Sequence, residues 1–237
     1  RVTGFDGQRR STTRGDVQAR WFVDASGLAG ARLLETPRVS RNELCVAAQE
    51  VRRLDDPKAA AAFFAEHGVP LGDTLCFTGV EGGFSVVNLR VVGDRVSLLT
   101  GSIPGEGRAS GREMLSEFVA QNRWIGSLLF GGARAIPLRR PVDRLARGNV
   151  ALRGDAGCQV FSAHGSGIGA GLLAARLLAD RLAGGGDLHG YAVDWHRRYG
   201  ALFASYAAFR RFSQSLDAEG LRTMMRLALI DDSRDWE

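Results

Sequence analysis

Residues 149–183 read NVALRGDAGCQVFSAHGSGIGAGLLAARLLADRLA and are the most informative stretch of the chain. An apolar strand ends at Gly154-Asp155, a loop follows, and glycines spaced along 165–171 then open a helix. Such a helix start exposes unpaired N–H groups and the positive end of the helix dipole, and its glycines let a ligand approach the backbone closely. Asp155 stands at the carboxyl end of a strand, where α/β sheets place ligand-contacting groups. The stretch therefore predicts a site for an electron-rich ligand.

A second interpretation of these glycines is a dinucleotide-binding fingerprint, because residues 165–170 formally satisfy G-x-G-x-x-G/A. That fingerprint directly follows its strand within a βαβ unit, whereas about a dozen residues separate Arg153 from Gly165 here. No second parallel strand with a terminal acidic residue follows the helix; the sequel is Gly184 to Asp187 and more helix. The context therefore disfavours the dinucleotide fingerprint.

The composition is that of a folded globular protein. Of 237 residues, 45% are hydrophobic and 24% are charged, which excludes a disordered, collagen-like or coiled-coil chain. At roughly 150 residues per domain, the length allows one large domain or two small ones. The three cysteines, at positions 45, 76 and 158, form neither a disulfide framework nor a CxxC pair, which favours a reducing, cytoplasmic compartment.

Charge and hydropathy restrict the partners. The formal charge is +5, yet 26 acidic residues are interleaved with the 31 basic ones. Nucleic-acid binding needs clustered positive charge, so we expect no nucleic-acid partner. No apolar run reaches the roughly 18 residues that a membrane-spanning helix needs, and no signal-peptide pattern opens the chain. We expect a cytoplasmic protein, with contact at the periphery of a membrane left open.

Two further function classes lack the residues they need. His189 and His196 lie seven positions apart without a partnered thiol or carboxylate, so no metal site is predicted. A hydrolase is unsupported because no G-x-S-x-G elbow occurs.

The N-terminal residues predict a pair of β-strands. Val2–Phe5 and Val17–Ala25 are separated by a polar turn at Arg14-Gly15-Asp16. The second strand ends in an apolar run and then Asp24-Ala25-Ser26-Gly27, which is typical of a buried strand that enters a tight turn.

The middle of the chain predicts a sheet with flanking helices, and its end predicts mostly helix. The expected elements are a strand at 42–54, a helix capped by Asp55 or Asp56 and ended by Gly68, three hairpin-connected strands from Gly72 to Ser102, a helix from Ser110 to Phe130 closed by Gly131-Gly132, an edge strand at 133–140, a last strand at 149–154, a helix over 169–183 and an aromatic-rich helical region over 191–216.

Gly154-Asp155-Ala156, followed by VFSAHGSGIGAG and a helix, resembles the Gly-Asp motif of FAD-dependent oxidoreductases of the para-hydroxybenzoate hydroxylase fold. Asp24-Ala25-Ser26-Gly27 resembles their upstream D-A-x-G motif. Within that superfamily the string GDAGCQVFSAHGSGIGAG is most similar to the geranylgeranyl reductase-like branch. The resemblance covers nearly the whole chain. It implies an α+β fold: an antiparallel-sheet substrate domain, the last strand and helix of an α/β FAD-binding domain, and a helical tail.

The resemblance also implies a site. The Asp155 carboxylate would contact the ribityl hydroxyls of FAD, and the backbone from Gly165 to Gly169 would face the pyrimidine edge of the flavin. Asp24 and Gly27 would mark the return of the chain to the FAD-binding core. The implied cofactor-binding residues are Asp24, Gly27, Gly154, Asp155, Gly165, Ser166, Gly167, Ile168 and Gly169.

The same resemblance implies a division of the chain. Residues 1–40 would end a β-meander, 41–140 would form the substrate-binding domain, 141–186 would carry the Gly-Asp motif, and 187–237 would form C-terminal helices. The family's N-terminal G-x-G-x-x-G unit, which binds the ADP half of FAD, is not found. We therefore expect a carboxyl-terminal fragment that by itself holds FAD weakly or not at all. Ser162 stands where relatives commonly have proline.

The reaction implied is hydride transfer from reduced FAD to a carbon–carbon double bond of a small hydrophobic, prenyl-type substrate, with NAD(P)H as electron donor. The first alternative is a monooxygenase that hydroxylates an aromatic or polyketide substrate, and the second is a non-catalytic lipid- or protein-binding domain. A flavin halogenase is disfavoured because its Trp-x-Trp-x-Ile-Pro motif is missing. The oligomeric state is not predicted.

Three side-chain features keep two interpretations each. His164 is a candidate proton donor or a histidine that hydrogen-bonds locally in the turn. Cys158 is a thiol near the flavin or a small buried hydrophobe. The aromatic stripe Tyr191, Trp195, Tyr199 and Phe203 is a core face or the lining of a lipid tunnel.

Overall fold

The structure is a computed structural model that describes residues 2–5, 9–80 and 82–227. It divides into two compact units, Arg1–Glu43 with Ile136–Arg210 and Leu44–Ala135 with Arg211–Glu237. The strands are β1 Val2–Phe5, β2 Arg9–Thr12, β3 Gly15–Gln18, β4 Phe22–Asp24, β5 Leu44–Leu54, β6 Thr74–Thr78, β7 Ser85–Val92, β8 Arg95–Ser102, β9 Ile125–Pro137, β10 Ala146–Arg147 and β11 Val150–Leu152. The α-helices are α1 Pro57–Glu66, α2 Gly111–Gln121, α3 Ile168–Ala183, α4 Leu188–Trp195, α5 Ala201–Ser215 and α6 Ala218–Arg226.

The first unit holds two small sheets. Strands β1, β2 and β3 form an antiparallel sheet in chain order. Strands β10, β11 and β4 form the other sheet, in which β11 pairs with β4 in parallel and with β10 in antiparallel orientation. The short β11 is buried along its whole length, as expected of a parallel strand that is covered on both faces.

Helices α3 and α4 share the core of the first unit with β11. The largest side chains of this core come from the aromatic stripe, since Tyr191 and Trp195 are fully buried and Phe203 is nearly so. The stripe is therefore a core face at these three positions, as one of its two interpretations predicted. A π-helical turn, His196–Gly200, links α4 to α5.

The second unit contains a five-stranded sheet in the order β6-β7-β8-β5-β9. The pairs β6–β7, β7–β8 and β8–β5 are antiparallel, which confirms the hairpins predicted between Gly72 and Ser102. Alternate residues of β7 are buried, so one face of the sheet meets the core. The buried core residues are Ala48, Ala60, Phe64, Leu75, Leu89, Val91, Val96, Leu98, Leu115, Trp124 and Ile125.

The two helices of the second unit begin at side-chain caps. Asp56 accepts hydrogen bonds from the backbone N–H groups of Lys58 and Ala59, both at 3.0 Å, and Pro57 occupies the first turn of α1. Ser110 and Glu113 form a capping box at the start of α2. Both helix starts were predicted from the sequence. Capping residue types mark a helix start because their side chains accept from N–H groups that have no partner within the helix.

The predicted helix from Ser110 to Phe130 is wrong beyond Gln121. Asn122 ends α2, where its side-chain amide donates to the carbonyl of Phe118 at 2.8 Å. The following residues form β9, including the glycine pair that was expected to close the helix. A Cβ on Gly131 would lie 2.3 Å from the carbonyl oxygen of Gln49 in β5. This glycine allows two strands to approach each other closely, and it does not end a helix.

The predicted strand Val17–Ala25 is also wrong as one element. Its first residues form β3, which pairs with β2, and its last residues form β4, which belongs to the other sheet. The chain leaves one sheet and enters the second between them, at Arg20 and Trp21, whose guanidinium carbon and ring centroid are 4.1 Å apart. Strand β2 lies in a stretch for which no element was predicted, and β3 begins at Gly15, inside the predicted turn.

The remaining predictions agree with the elements. Five further elements occur within a few residues of their predicted positions, apart from the earlier start of β9. They are strand β5, the edge strand β9 ended by Pro137, strand β11, helix α3 and the helical region after Tyr191. No helix within the described ranges is long and apolar enough to cross a membrane. The four-part division of the chain stays a prediction.

Replacing Ser110 by alanine should destabilise the protein by about 1 kcal/mol, because the N–H of Glu113 loses its acceptor and the capping box is broken. The measurement is chemical denaturation at neutral pH. Ser116→Ala is the matched control on the same helix: its hydroxyl only donates to the carbonyl of Arg112 within the helix, so no loss is expected. Equal losses in both variants would contradict the role of the cap.

Candidate functional site

Parallel pairing brings the two sequence motifs together. In the β4–β11 ladder Asp24 lies opposite Leu152, so the D-A-x-G and Gly-Asp motifs leave the sheet at the same edge. The N–H of Arg153 donates to the carbonyl of Asp24 at 2.9 Å and extends the pairing by one residue. This edge is formed by the carboxyl ends of parallel strands, where α/β folds place their ligands.

The Asp24 carboxylate organises the loop that follows β4. One oxygen accepts from the backbone N–H of Ser26 at 3.1 Å and from its hydroxyl, and the other accepts from the N–H of Leu33 at 2.9 Å. The side chain is buried, so these bonds compensate its desolvation. Gly27 lies in the turn of this loop, which the N–H of Gly30 closes by donating to its carbonyl. The cofactor role assigned to Asp24 and Gly27 stays a prediction.

Gly154 begins a single turn of 3-10 helix that ends at Gly157. Its φ of 63° lies in the left-handed region, which glycine adopts without strain. The N–H of Gln159 donates to the Gly154 carbonyl at 3.0 Å, and the Gln159 side-chain oxygen accepts from the Gly154 N–H at 2.8 Å. This reciprocal pair closes the turn and fixes the direction in which Asp155 leaves it.

A buried hydrogen-bond chain holds the turn in place. The side-chain amide of Gln159 donates to the Tyr191 hydroxyl at 2.9 Å, and that hydroxyl donates to the carbonyl of Leu152 at 3.0 Å. Both side chains are fully buried. Burial raises the pKa of the Tyr191 phenol to about 12, so the phenol keeps its proton and remains a donor at neutral pH. The end of β11, the Gly154 turn and α4 are therefore joined by one satisfied network.

Asp155 has a very different environment from Asp24. One of its carboxylate oxygens would lie 3.5 Å from a Cβ built on Gly167, so the carboxylate sits beside the start of α3. The group is half-buried, and burial raises its pKa above the ordinary 3.8. It accepts no hydrogen bond from any residue that the structure describes. A carboxylate left without donors in a partly desolvated place costs stability unless something else supplies them.

The loop between the turn and α3 is a small hairpin. Phe161 and Ser166 form a bridge, with the Phe161 N–H donating to the Ser166 carbonyl at 2.9 Å, and the Gly165 N–H donates to the Phe161 carbonyl at 2.8 Å. Gly167 is the N-cap of α3, where no side chain accepts from the first N–H groups. The side chain of Ile168 is 81% exposed. The N-terminus of α3 therefore points at solvent with uncapped N–H groups.

His164 lies on this hairpin with its side chain exposed. Its ring stacks on Phe161, with centroids 5.6 Å apart, and meets the ring of Tyr206 edge-on at 6.4 Å. The local hydrogen bond is made by its backbone N–H, which donates to Phe161. Its ring nitrogens bond to no described residue. Aromatic stacking, not hydrogen bonding, holds the imidazole.

Cys158 follows the interpretation of a small buried hydrophobe. It is 3% exposed, and burial raises the pKa of its thiol to about 11. The thiolate, which is the reactive form, is disfavoured at neutral pH. Within the described ranges no group of three or more His, Cys, Asp or Glu is arranged to hold a metal ion.

Sequence reasoning missed three residues that shape this site. Gln159 and Tyr191 form the buried chain under the turn, and the Arg153 side chain donates to the carbonyl of Gly171 at 3.1 Å, which ties the end of β11 to α3. A glutamine flanked by cysteine and valine in a buried stretch was the available signal for Gln159, because a buried amide needs partners. Tyr191 was predicted only as part of the aromatic stripe, as a core face or as the lining of a lipid tunnel, and not as a hydrogen-bonding residue.

No protein-family model matches the chain, and no curated protein matches it. Solved structures do. A geranylgeranyl bacteriochlorophyll reductase-like protein from Thermoplasma acidophilum aligns with a TM-score of 0.68 and 14% identity, over 97% of this chain and 61% of its own.

Two other solved structures align over most of the chain. A variant of HpxO from Klebsiella pneumoniae, complexed with FAD, gives a TM-score of 0.60 and 18% identity over 94% of this chain and 61% of its own. A variant of 2-methyl-3-hydroxypyridine-5-carboxylic acid oxygenase aligns with a TM-score of 0.52 and 17% identity, over 88% of this chain and 60% of its own.

The chain shares the α+β fold of the aligned part of these solved structures. This confirms the α+β class expected from the two motifs. The chain spans about three fifths of the length of the solved structures it matches.

Tyr191→Phe should cost about 1–3 kcal/mol of stability, because it leaves the Gln159 amide and the Leu152 carbonyl buried without a partner. Hydrogen exchange should become faster at residues 154–159, where the turn loses its support. Tyr199→Phe is the matched control, since the Tyr199 hydroxyl bonds to no described residue. If both variants lose the same stability and exchange alike, the network does not hold the turn.

Asp155→Asn should raise the melting temperature of the flavin-free protein at neutral pH by roughly 1–3 °C. A carboxyl whose pKa is raised on folding destabilises the protein while it is ionised, and the variant removes that charge. The advantage should shrink as the pH falls towards 3.8, where the wild-type carboxyl becomes protonated. Thermal unfolding across this pH range is the measurement, with the exposed Asp180→Asn on α3 as control. A wild type that is more stable than Asp155→Asn at neutral pH would refute the unpartnered carboxylate.

Proposed function

We propose that this chain is part of an FAD-dependent oxidoreductase. The observation that carries the proposal is the half-buried Asp155 carboxylate, which lies beside the uncapped start of α3 and receives no hydrogen bond from the described residues. A folded protein tolerates such a group most readily where a ligand supplies the donors. The fold shared with the FAD-complexed HpxO structure supports FAD as that ligand.

The residues at this edge fit FAD. Its ribityl hydroxyls are donors that the Asp155 carboxylate lacks, and the N–H groups at the start of α3 suit the electron-rich edge of the flavin ring. Apart from the adjoining residues and the backbone of α3 itself, no described residue has a heavy atom within 4 Å of the place that a Cβ on Gly169 would take, so a flat ring has access to the backbone there. We propose that Gly154, Asp155 and residues 165–169 hold the cofactor.

The proposed reaction is reduction of a carbon–carbon double bond in a small hydrophobic, prenyl-type substrate, with NAD(P)H as the electron donor. Reduced FAD, when bound, would supply the hydride to one carbon. The chain would supply a proton to the other carbon, and His164 is the candidate because its imidazole is exposed on the hairpin with unbonded ring nitrogens. The reductase-like structure from Thermoplasma acidophilum supports this choice of reaction.

The second candidate is a monooxygenase that acts on an aromatic or polyketide substrate. The alignment with 2-methyl-3-hydroxypyridine-5-carboxylic acid oxygenase over 88% of the chain favours it. In that reaction one oxygen atom of O₂ enters the substrate and the other leaves as water. The Gly154 turn serves either reaction, because it would bind the cofactor and not the substrate.

The test begins with the visible spectrum and the FAD dissociation constant of the full-length protein. Asp155→Asn should weaken FAD binding by about tenfold or more, because charge-assisted hydrogen bonds to the ribityl hydroxyls are lost. Asp180→Asn, an exposed aspartate that pairs with Arg176 on α3, should bind FAD like the wild type. A full-length protein that neither contains nor binds flavin would overturn the enzyme proposal and favour a non-catalytic lipid- or protein-binding domain.

Oxygen then separates the two reactions. Turnover of prenyl-type substrates with O₂ excluded is the expected result for the reductase. Oxygen consumption that matches product formation, with no anaerobic turnover, would instead assign the monooxygenase.

A further inference from the structure

A cleft of about 840 Å³ lies in the first unit and adjoins the Gly154 turn, since the backbone N–H of Val142 in its lining donates to the carbonyl of Gly157 at 3.1 Å. Its walls are the extended residues 35–37, the stretch from Arg139 to Ala146, and one side of α4 with the π-helical turn that follows it. Its lining contains neither Asp24 nor Gly27 nor any residue of 147–188, so it shares no residue with the candidate cofactor site. The volume is within the range of small-molecule sites, roughly 300–1,000 Å³. We call this cavity the basic cleft.

The lining of the basic cleft is predominantly cationic. Its charged side chains are the basic Arg139, Arg144 and Arg197 and the acidic Glu35 and Asp143, and the imidazoles of His189 and His196 also line it. Arg139 lies 3.9 Å from Glu43 outside the lining, so the remaining guanidinium groups, Arg144 and Arg197, are set against Glu35 alone, because Asp143 is also paired outside the lining. Arg140 donates to both oxygens of that carboxylate, and this bond is the main cause that lowers the Asp143 pKa below its ordinary value.

The guanidinium groups of the cleft have donors to spare. Arg144 and Arg197 are exposed and make no hydrogen bond or ion pair with any residue in the described part of the chain. Arg139 is mostly buried and lies 3.9 Å from Glu43, yet its Nε is a buried donor without an acceptor. The opposite wall is held in place, since the His196 Nε2 lies 3.1 Å from the carbonyl oxygen of Asp143.

We propose that the basic cleft binds the phosphate group of a small soluble organic phosphate. Guanidinium groups match phosphate oxygens in geometry and charge, and several of them around one cavity favour a multiply charged anion over a monocarboxylate. Val142, Ala192 and Val193 supply apolar wall for the organic part. The proposal does not depend on flavin binding, because the two sites share no residue.

Calorimetric titration of the full-length protein with inorganic pyrophosphate at low ionic strength tests the site. The double variant Arg144→Gln/Arg197→Gln should bind about tenfold more weakly or not at all. The matched control is Arg147→Gln/Arg198→Gln, which removes the same charge from two exposed arginines that do not line the cleft. We expect the control to bind within twofold of the wild type, and thermal unfolding verifies that both variants fold.

Two results would overturn the proposal. No heat of binding with the wild type, or an equal loss in the control variant, would show that only diffuse surface charge is present. Co-sedimentation with vesicles of phosphatidylglycerol and phosphatidylcholine tests whether the phosphate belongs to a lipid headgroup instead of a soluble ligand. Vesicle binding that requires Arg144 and Arg197, without pyrophosphate binding, would replace the soluble ligand by a lipid headgroup.

Discussion

The candidate site depends on the two hydrogen bonds that the Tyr191 hydroxyl makes. This hydroxyl donates to the end of β11 and accepts from Gln159, which in turn closes the Gly154 turn. The phenol is carried by α4, so the packing of that helix in the core sets the position of a turn at the sheet edge. A buried polar chain of this kind is stable because every member is satisfied. Through this chain of hydrogen bonds, the packing of the core fixes the direction in which Asp155 leaves the turn.

Two aspartates at the ends of neighbouring parallel strands are used in opposite ways. Asp24 is buried and its carboxylate is consumed by three bonds to its own loop, which gives that loop its shape. The Asp155 carboxylate lies next to a helix N-terminus and accepts no hydrogen bond within the part of the chain that the structure describes. The bonds of the first arrangement favour the folded state, whereas the second leaves a partly desolvated carboxylate that costs stability. The two aspartates therefore differ in their hydrogen-bond partners although both end a parallel strand.

The sequence predicts what depends on local chemistry. The caps at Asp56 and Ser110, the hairpins of the second unit and the helix start after Gly167 were all readable because a few adjacent residues determine them. The first part of β9 was not predicted as a strand, because an apolar run has no periodicity that distinguishes a strand from a helix. Its Gly131 allows close approach to β5, which is a contact with a residue distant in sequence.

Contacts between distant residues also escaped the sequence. Gln159 and Tyr191 meet only after α4 packs against β11. The basic cleft likewise assembles from three separate segments, and the Asp143 charge is cancelled by a residue outside its lining. Spacing along the chain cannot reveal such sets, because they are created by tertiary packing.

The parallel ladder between β4 and β11 constrains the order of events during synthesis. Phe22 pairs with Val150, and the whole first stretch of the second unit, Leu44–Ala135, lies between them in the chain. On the ribosome, β4 emerges long before its partner exists, while the hairpins from Thr74 to Ser102 are complete and local in sequence. Closing so long a loop is entropically costly and slow unless the intervening chain has already become compact. Pairing of β4 with β11 therefore requires closure of this long loop, and the entropic cost of closure is lower once the intervening sheet has folded.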